Sequence, residues 1–310
     1  MKRSKKLRFL AEYAGLKCLV SVIRLMPWVL AVKFGEIFGF IVSKIIRKRF
    51  ARAVKDIQKA LPQKTRQQAT KIAKESFKNI GRMTAEFVKA SAMDKKNLLK
   101  HVELRNFEQM LERNNKQNLG AIVHIGHFVN WELTGLVAGH VLKKMAFVAR
   151  PQSNPYVNEE LTKMRTSSGA AMISAYNPFF QCFKYLKKGY MLGILSDQSV
   201  ASSEIYMDFL GRSAEVGGMS AVLAIKMQLP VYPARPYREG GKIIIEIQPP
   251  LTPPAQYSQQ AVFDFTRRLM DKYEEWIKQA PQDWLWAHNR WRREKQTLQK
   301  IAEREGRNAR

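Results

Sequence analysis

The sequence predicts an α/β fold: a single layered domain with a mixed, largely parallel sheet flanked by helices, plus an amphipathic N-terminal membrane helix. Three observations carry this. Short apolar runs recur from residue 119 onward. Segments with helical spacing of apolar residues separate them, and such alternation builds layered α/β domains. The amino terminus is apolar but punctuated by charge. A length of 310 residues suits one large domain or two small ones, with a sizeable core.

The chain opens on MKRSKKLRF and turns apolar from Leu16 to Ile46. Lys17, Arg24, Lys33, Glu36 and Lys44 interrupt that stretch, and its longest uncharged run is Leu25 to Val32. This is far short of the ~20 residues a spanning helix needs. No small-residue cleavage site follows a compact apolar run, so a signal peptide fits poorly. One or two amphipathic helices are expected instead, with Pro27 near the start of the second. Trp28, Phe34, Phe38 and Phe40 add apolar bulk, and basic runs flank both ends (Lys2 to Arg8, Lys44 to Arg52). Residues 1–48 are therefore read as a segment lying in an anionic membrane interface. The competing reading is an amphipathic helix packed on the domain itself.

Residues 49–292 form the main domain in this reading. Over 51–115, Ile57, Ala60, Leu61, Ile72, Phe77, Ile80, Met83 and Phe87 recur at roughly helical spacing. LGAIVH (119–124), MAFVA (145–149), 172–174, YMLGIL (190–195), 229–237 and KIIIEIQ (242–248) read as strands. Helices are expected over 128–142, 155–168, 178–188, 220–227 and 259–279, the last after the Pro-rich break at 249–254. The charged stretch 293–310 reads as a tail or frayed helix.

Charge narrows the partners. Lys and Arg number 53 against 26 Asp and Glu, a formal +27. That excess calls for a polyanionic neighbour: nucleic acid, an anionic membrane surface, or an acidic carrier protein or phosphorylated lipid. Cys18 and Cys182 are far apart and lack metal-ligand spacing. A disulfide framework is not expected, and a reducing cytoplasmic setting fits.

Chemistry concentrates in HIGHFVNWE, residues 124–132, where an apolar run meets a helix. The carboxyl ends of strands are where open α/β sheets bind ligands. On one continuous helix His127 and Glu132 would sit about 140° apart. They can meet only if His127 lies in the turn before the helix and Glu132 on its first turns. That geometry would make an oriented general base: a carboxylate fixes the imidazole tautomer and stabilises the imidazolium. A hydroxyl attacking an activated acyl carbonyl needs such a base. No GxSxG elbow is present, which weakens a serine hydrolase reading.

The chain resembles the lipid A late acyltransferases, the lauroyl and myristoyl transferases of outer-membrane lipid biosynthesis. His127 and Glu132 match their H-x4-D/E motif. RPQSNP (150–155), SDQS (196–199), MDFLGRSAEVGGMSAVLA (207–224) and PQDWLWAHNRW (281–291) match further family segments in order. The likeness runs from about residue 20 to 292. Ser199 departs from it, standing where the family often has a second acid.

The resemblance implies an O-acyltransferase with His127 as base and Glu132 as its orienting acid. Arg150 would bind an acceptor phosphate or hold the oxyanion. Asn154 would shape its loop, and Asp197 would be functional or a helix cap. Gly217 and Gly218 would bring backbone amides to a ligand or form a plain turn. Asn130 and Trp131 would face substrate or pack. Met145, Phe147, Met164, Phe179, Phe180 and Met219 are possible liners of an acyl groove or ordinary core. Trp284, Trp286 and Trp291 read as core, His124 and His140 as structural. By the same resemblance the donor is acyl carrier protein, and the acceptor a phosphorylated glycolipid precursor of lipid A. The enzyme would work at the cytoplasmic face of the inner membrane. No metal, cofactor or nucleic acid is implied. Another lysophospholipid or glycolipid acceptor is the alternative within this class. Two readings lie outside it: an RNA-binding nucleotidyl transferase or synthetase, suggested by HIGH at 124–127, and a basic membrane adaptor without catalysis.

Overall fold

In the computed structural model, residues 3–199 and 205–308 are described. Four helices open the chain: α1 (Arg3–Leu25), α2 (Trp28–Ile45), α3 (Arg47–Ala60) and α4 (Arg66–Ala90). Short elements follow: α5 (Lys95–Leu98), β1 (Val102–Arg105) and α6 (Glu108–Leu111). The alternating region then runs β2 (Ala121–Ile125), α7 (Trp131–Val141), β3 (Met145–Ala149), α8 (Pro155–Thr166), β4 (Ala171–Ser174), α9 (Phe179–Lys187) and β5 (Met191–Leu195). A hairpin of β6 (Ile205–Asp208) and β7 (Ser213–Val216) leads to α10 (Met219–Met227), β8 (Val231–Glu239), β9 (Lys242–Ile247), α11 (Gln259–Gln279) and α12 (Glu294–Asn308).

The main sheet has seven strands in the order β1-β9-β8-β2-β5-β3-β4. Its pairings are parallel except β8 with β9. β2 and β5 lie side by side at the centre, with Ile125 opposite Leu195. Strand alternation divides the core. Ala121, Val123 and Ile125 of β2 join a cluster with α4 and α7, while Ile122 joins one with α9, α10 and α11. A third cluster, rich in tryptophan, binds α3, α4, the hairpin and the end of α11. The mixed, largely parallel sheet flanked by helices is the predicted architecture.

Two parts differ from the sequence reading. β1 falls inside the stretch read as wholly helical, and the β6–β7 hairpin was not anticipated. Both are short and half-polar, so pairing rather than apolar content defines them. β1 gains its order from parallel pairing with β9.

At the amino terminus, Pro27 stands as N-cap of α2, its fixed φ and missing N–H suiting a helix start. Among the described residues, no helix is long and apolar enough to cross a membrane. α2 buries its small residues, Ala31, Gly35, Gly39 and Ser43, and turns large ones outward, including Leu30, Ile37, Phe38, Ile41 and Ile45. The glycines explain the close crossing with α4. A Cβ at Gly39 would lie 2.4 Å from the Phe77 carbonyl oxygen, and one at Gly35 2.3 Å from that of Gly81.

Candidate active site

Register builds the site. His127 lies two residues beyond the end of β2 and Asp197 two beyond the end of β5. Because Ile125 pairs with Leu195 in parallel, the two side chains emerge side by side at the carboxyl edge of the sheet. His127 Nδ1 is 2.7 Å from Asp197 Oδ1, and the His127 backbone N–H donates to Asp197 Oδ2 at 2.9 Å. The Trp284 indole N–H also donates to Oδ2, at 2.8 Å. Asp197 is buried, while the imidazole is partly open. Burial alone would raise the Asp197 carboxyl. The His127 charge and these hydrogen bonds overcome that and hold it well below the usual carboxylate range. A carboxylate at Nδ1 fixes the proton there and leaves Nε2 as the basic nitrogen.

The loop between β2 and α7 is tightly built. Gly126 allows it, since a Cβ there would meet the Phe128 ring at 2.5 Å. Val129 takes φ +42°, a strained conformation for a β-branched residue. Its N–H donates to the Asp283 carbonyl at 2.8 Å, and the Leu285 N–H donates to the His127 carbonyl at 3.0 Å. The Tyr273 hydroxyl donates to the Ile125 carbonyl, fixing the end of β2.

The expected contact between His127 and Glu132 gives way to a different arrangement. Glu132, on the first turn of α7, pairs bidentately with Arg165 of α8; the Arg165 Nε to Glu132 Oε2 distance is 2.8 Å. Asp197 takes the imidazole in its place. His127, Glu132 and Arg165 nevertheless line one cleft of about 700 Å³, together with Arg150, Gly217 and Gly218. Arg150 sits exposed at the rim, past the end of β3. Met145, Phe147, Phe179 and Met219 line the cleft too, with Leu136, Gly193 and Leu195. Of the other suggested liners, Met164 is core and Phe180 is exposed on the surface.

Asn130 and Asn154 do structural work outside the cleft lining. Asn130 is buried, caps α7 by accepting from the Leu133 N–H at 2.8 Å, and donates to Glu86 at 2.9 Å. Glu86 in turn pairs with Arg238. Asn154 caps α8 and donates to the Phe9 carbonyl and to Glu12. Ser199 donates to Glu215 at 3.1 Å. His124 stacks on Tyr273, and burial lowers it to about 3, so only the second histidine of HIGH opens on the cleft.

Sequence reasoning missed Arg165 and the part played by Trp284. Arg165 sits in the helix after RPQSNP, with no local signal marking its partner. Asp197 was a candidate, but its link to His127 depends on which strands are neighbours.

The family model for bacterial lipid A biosynthesis acyltransferases matches residues 1–293. The chain belongs to that family. Lipid A biosynthesis palmitoleoyltransferase of Escherichia coli (strain K12) is 26% identical over 173 residues, 56% of this chain and 56% of that protein. Lipid A biosynthesis acyltransferase of Shigella flexneri matches to the same extent. The chain thus spans about half the length of the curated relatives it matches. Among solved structures, the 1-acyl-sn-glycerophosphate acyltransferase PlsC from Thermotoga maritima aligns over 77% of this chain and 98% of its own. Its identity is 14% and its TM-score 0.37.

Proposed function

We propose that the protein is an O-acyltransferase that moves a fatty acyl chain from acyl carrier protein to a hydroxyl of a lipid A precursor. The observation that carries this reading is the His127–Asp197 pair, with His127 lining a largely apolar cleft of about 700 Å³, in a chain of this family.

The acceptor hydroxyl gives its proton to His127 Nε2 as its oxygen attacks the thioester carbonyl. Asp197 stabilises the imidazolium that forms. The tetrahedral oxyanion is held by donors at the cleft rim, Arg150 among them. Collapse breaks the carbon–sulfur bond, and the imidazolium returns the proton to the leaving thiolate. The products are an ester and a free thiol. The acyl chain lies along Leu136, Met145, Phe147 and Leu195. Glu132 fixes Arg165 on the cleft wall, and Arg165 and Arg150 donate to the phosphorylated acceptor.

The protein lies on the cytoplasmic face of the inner membrane, with the outward apolar row of α2 in the interface. The flanking basic residues lie against anionic headgroups. The net charge of +27 also steers an acidic carrier protein.

Mass spectrometry of cell-envelope lipids tests the reading, comparing cells with the gene, without it, and with His127→Ala. One acyl chain gained only with the intact gene is the expected result. Identical lipid profiles in all three would contradict it.

A further inference from the structure

The segment from Asp283 to Leu285 touches both members of the pair. Its Asp283 carbonyl accepts from Val129, and its Leu285 N–H holds the His127 carbonyl. Its Trp284 indole holds Asp197. The segment is itself clamped to α4: Ser76 donates to the Trp284 carbonyl at 2.6 Å, and Asn79 to the Gln282 carbonyl at 3.0 Å. Trp284 packs among Phe209, Trp286 and Trp291, which fixes the plane of the indole.

From this geometry we infer that Trp284 is a positioning residue for acyl transfer, orienting the Asp197 carboxylate so that His127 keeps its proton on Nδ1. The inference rests on the acyltransferase reading for its catalytic meaning. A buried carboxylate with a single partner can rotate. Here Oδ1 faces the imidazole, while the His127 backbone and the indole occupy Oδ2. The indole N–H also draws negative charge away from the imidazole side. Losing it concentrates charge on the bond to His127 and favours the imidazolium. Other groups facing the pair are His124 from β2, Tyr273 from α11, and His288 and Arg290 from the carboxyl-terminal segment. Burial depresses His124 to about 3 and His288 to about 4, so neither titrates near neutrality. Glu132 with Arg165, and Arg150, face the pair across the cleft.

Two measurements on the full chain test this. In the wild type, the Trp284 indole N–H resonance should shift with pH along the same curve as the His127 imidazole. In Trp284→Phe, kcat for acyl transfer should fall about tenfold with KM unchanged. The acid limb of its rate profile should move to higher pH. A merely structural tryptophan would lower the folded fraction without moving that limb. An indole signal flat across the His127 titration would overturn the inference. So would a folded Trp284→Phe with the wild-type pH profile. Should the wild type transfer no acyl chain, the functional reading fails, while the indole titration still decides the position of Trp284.

Discussion

His127 sits in a strained loop, and the neighbouring Val129 carries the visible cost in its backbone. Replacing His127 by Ala should lower acyl transfer by about 10²–10⁴ if its role is that of general base, read from initial rates on folded protein. Glu132 and Arg165 should behave as one unit. Glu132→Gln, Arg165→Gln and the double variant form a cycle in which the second change adds little to kcat/KM. Fully additive losses would separate the two residues. Asp283 is a different case, because its backbone carbonyl holds Val129 while its side chain is raised to about 6, chiefly by burial. A carboxyl raised in the fold favours folding at low pH, and that contribution is lost as pH rises through about 6. Asp283→Asn should therefore raise Tm by about 2 °C at pH 8 and leave it unchanged below pH 4, as calorimetry would show.

Between elements, the crossing of α2 on α4 depends on the absence of side chains. A Cβ at Gly81 would fall 1.9 Å from the Gly35 carbonyl oxygen, closer than any adjustment of a flexible side chain can relieve. Gly81→Ala should thus cost about 1–3 kcal/mol in denaturant unfolding and expose α2 to protease first. Unchanged stability would mean that the helices cross less tightly. The same elements show what the sequence could disclose. β2, β3, β5 and β9 were legible because each reads as a short, mostly apolar run. The α11 boundaries were legible because a Pro-rich break and helical spacing frame it. β1 and the hairpin were not, since their residues are half-polar: β1 gains its order from β9, distant in the chain, and the two hairpin strands gain theirs from each other. His127 stood out as a candidate because a motif and a strand end coincide. Local spacing points to Glu132, five residues away, as its partner, whereas in the structure Asp197 holds the imidazole and Glu132 pairs with Arg165. The true neighbour depends on β5 lying beside β2, a long-range fact absent from local spacing.

At the scale of the whole molecule, buried titratable groups set an acid limit to stability. His124 is lowered to about 3 and His288 to about 4, both mainly by burial. Below their unfolded value of about 6.5, the unfolded chain takes up protons that the folded one refuses, so stability is lost as pH falls. Asp197, depressed in the fold, adds a further loss at lower pH still. Asp283 offsets part of this between about 4 and 6. Tm should hold steady near pH 7–8 and decline below 6.5; a Tm rising toward pH 4 would contradict the burial of both histidines. Strand register, rather than the local motif, sets the Asp197 carboxylate against His127. The most direct test is the acyl-transfer rate of Asp197→Asn, alone and combined with His127→Ala. A fall of about 10²–10⁴ for Asp197→Asn, with the double variant no slower than His127→Ala, is the expected result. A folded Asp197→Asn that transfers acyl chains at the wild-type rate would contradict it.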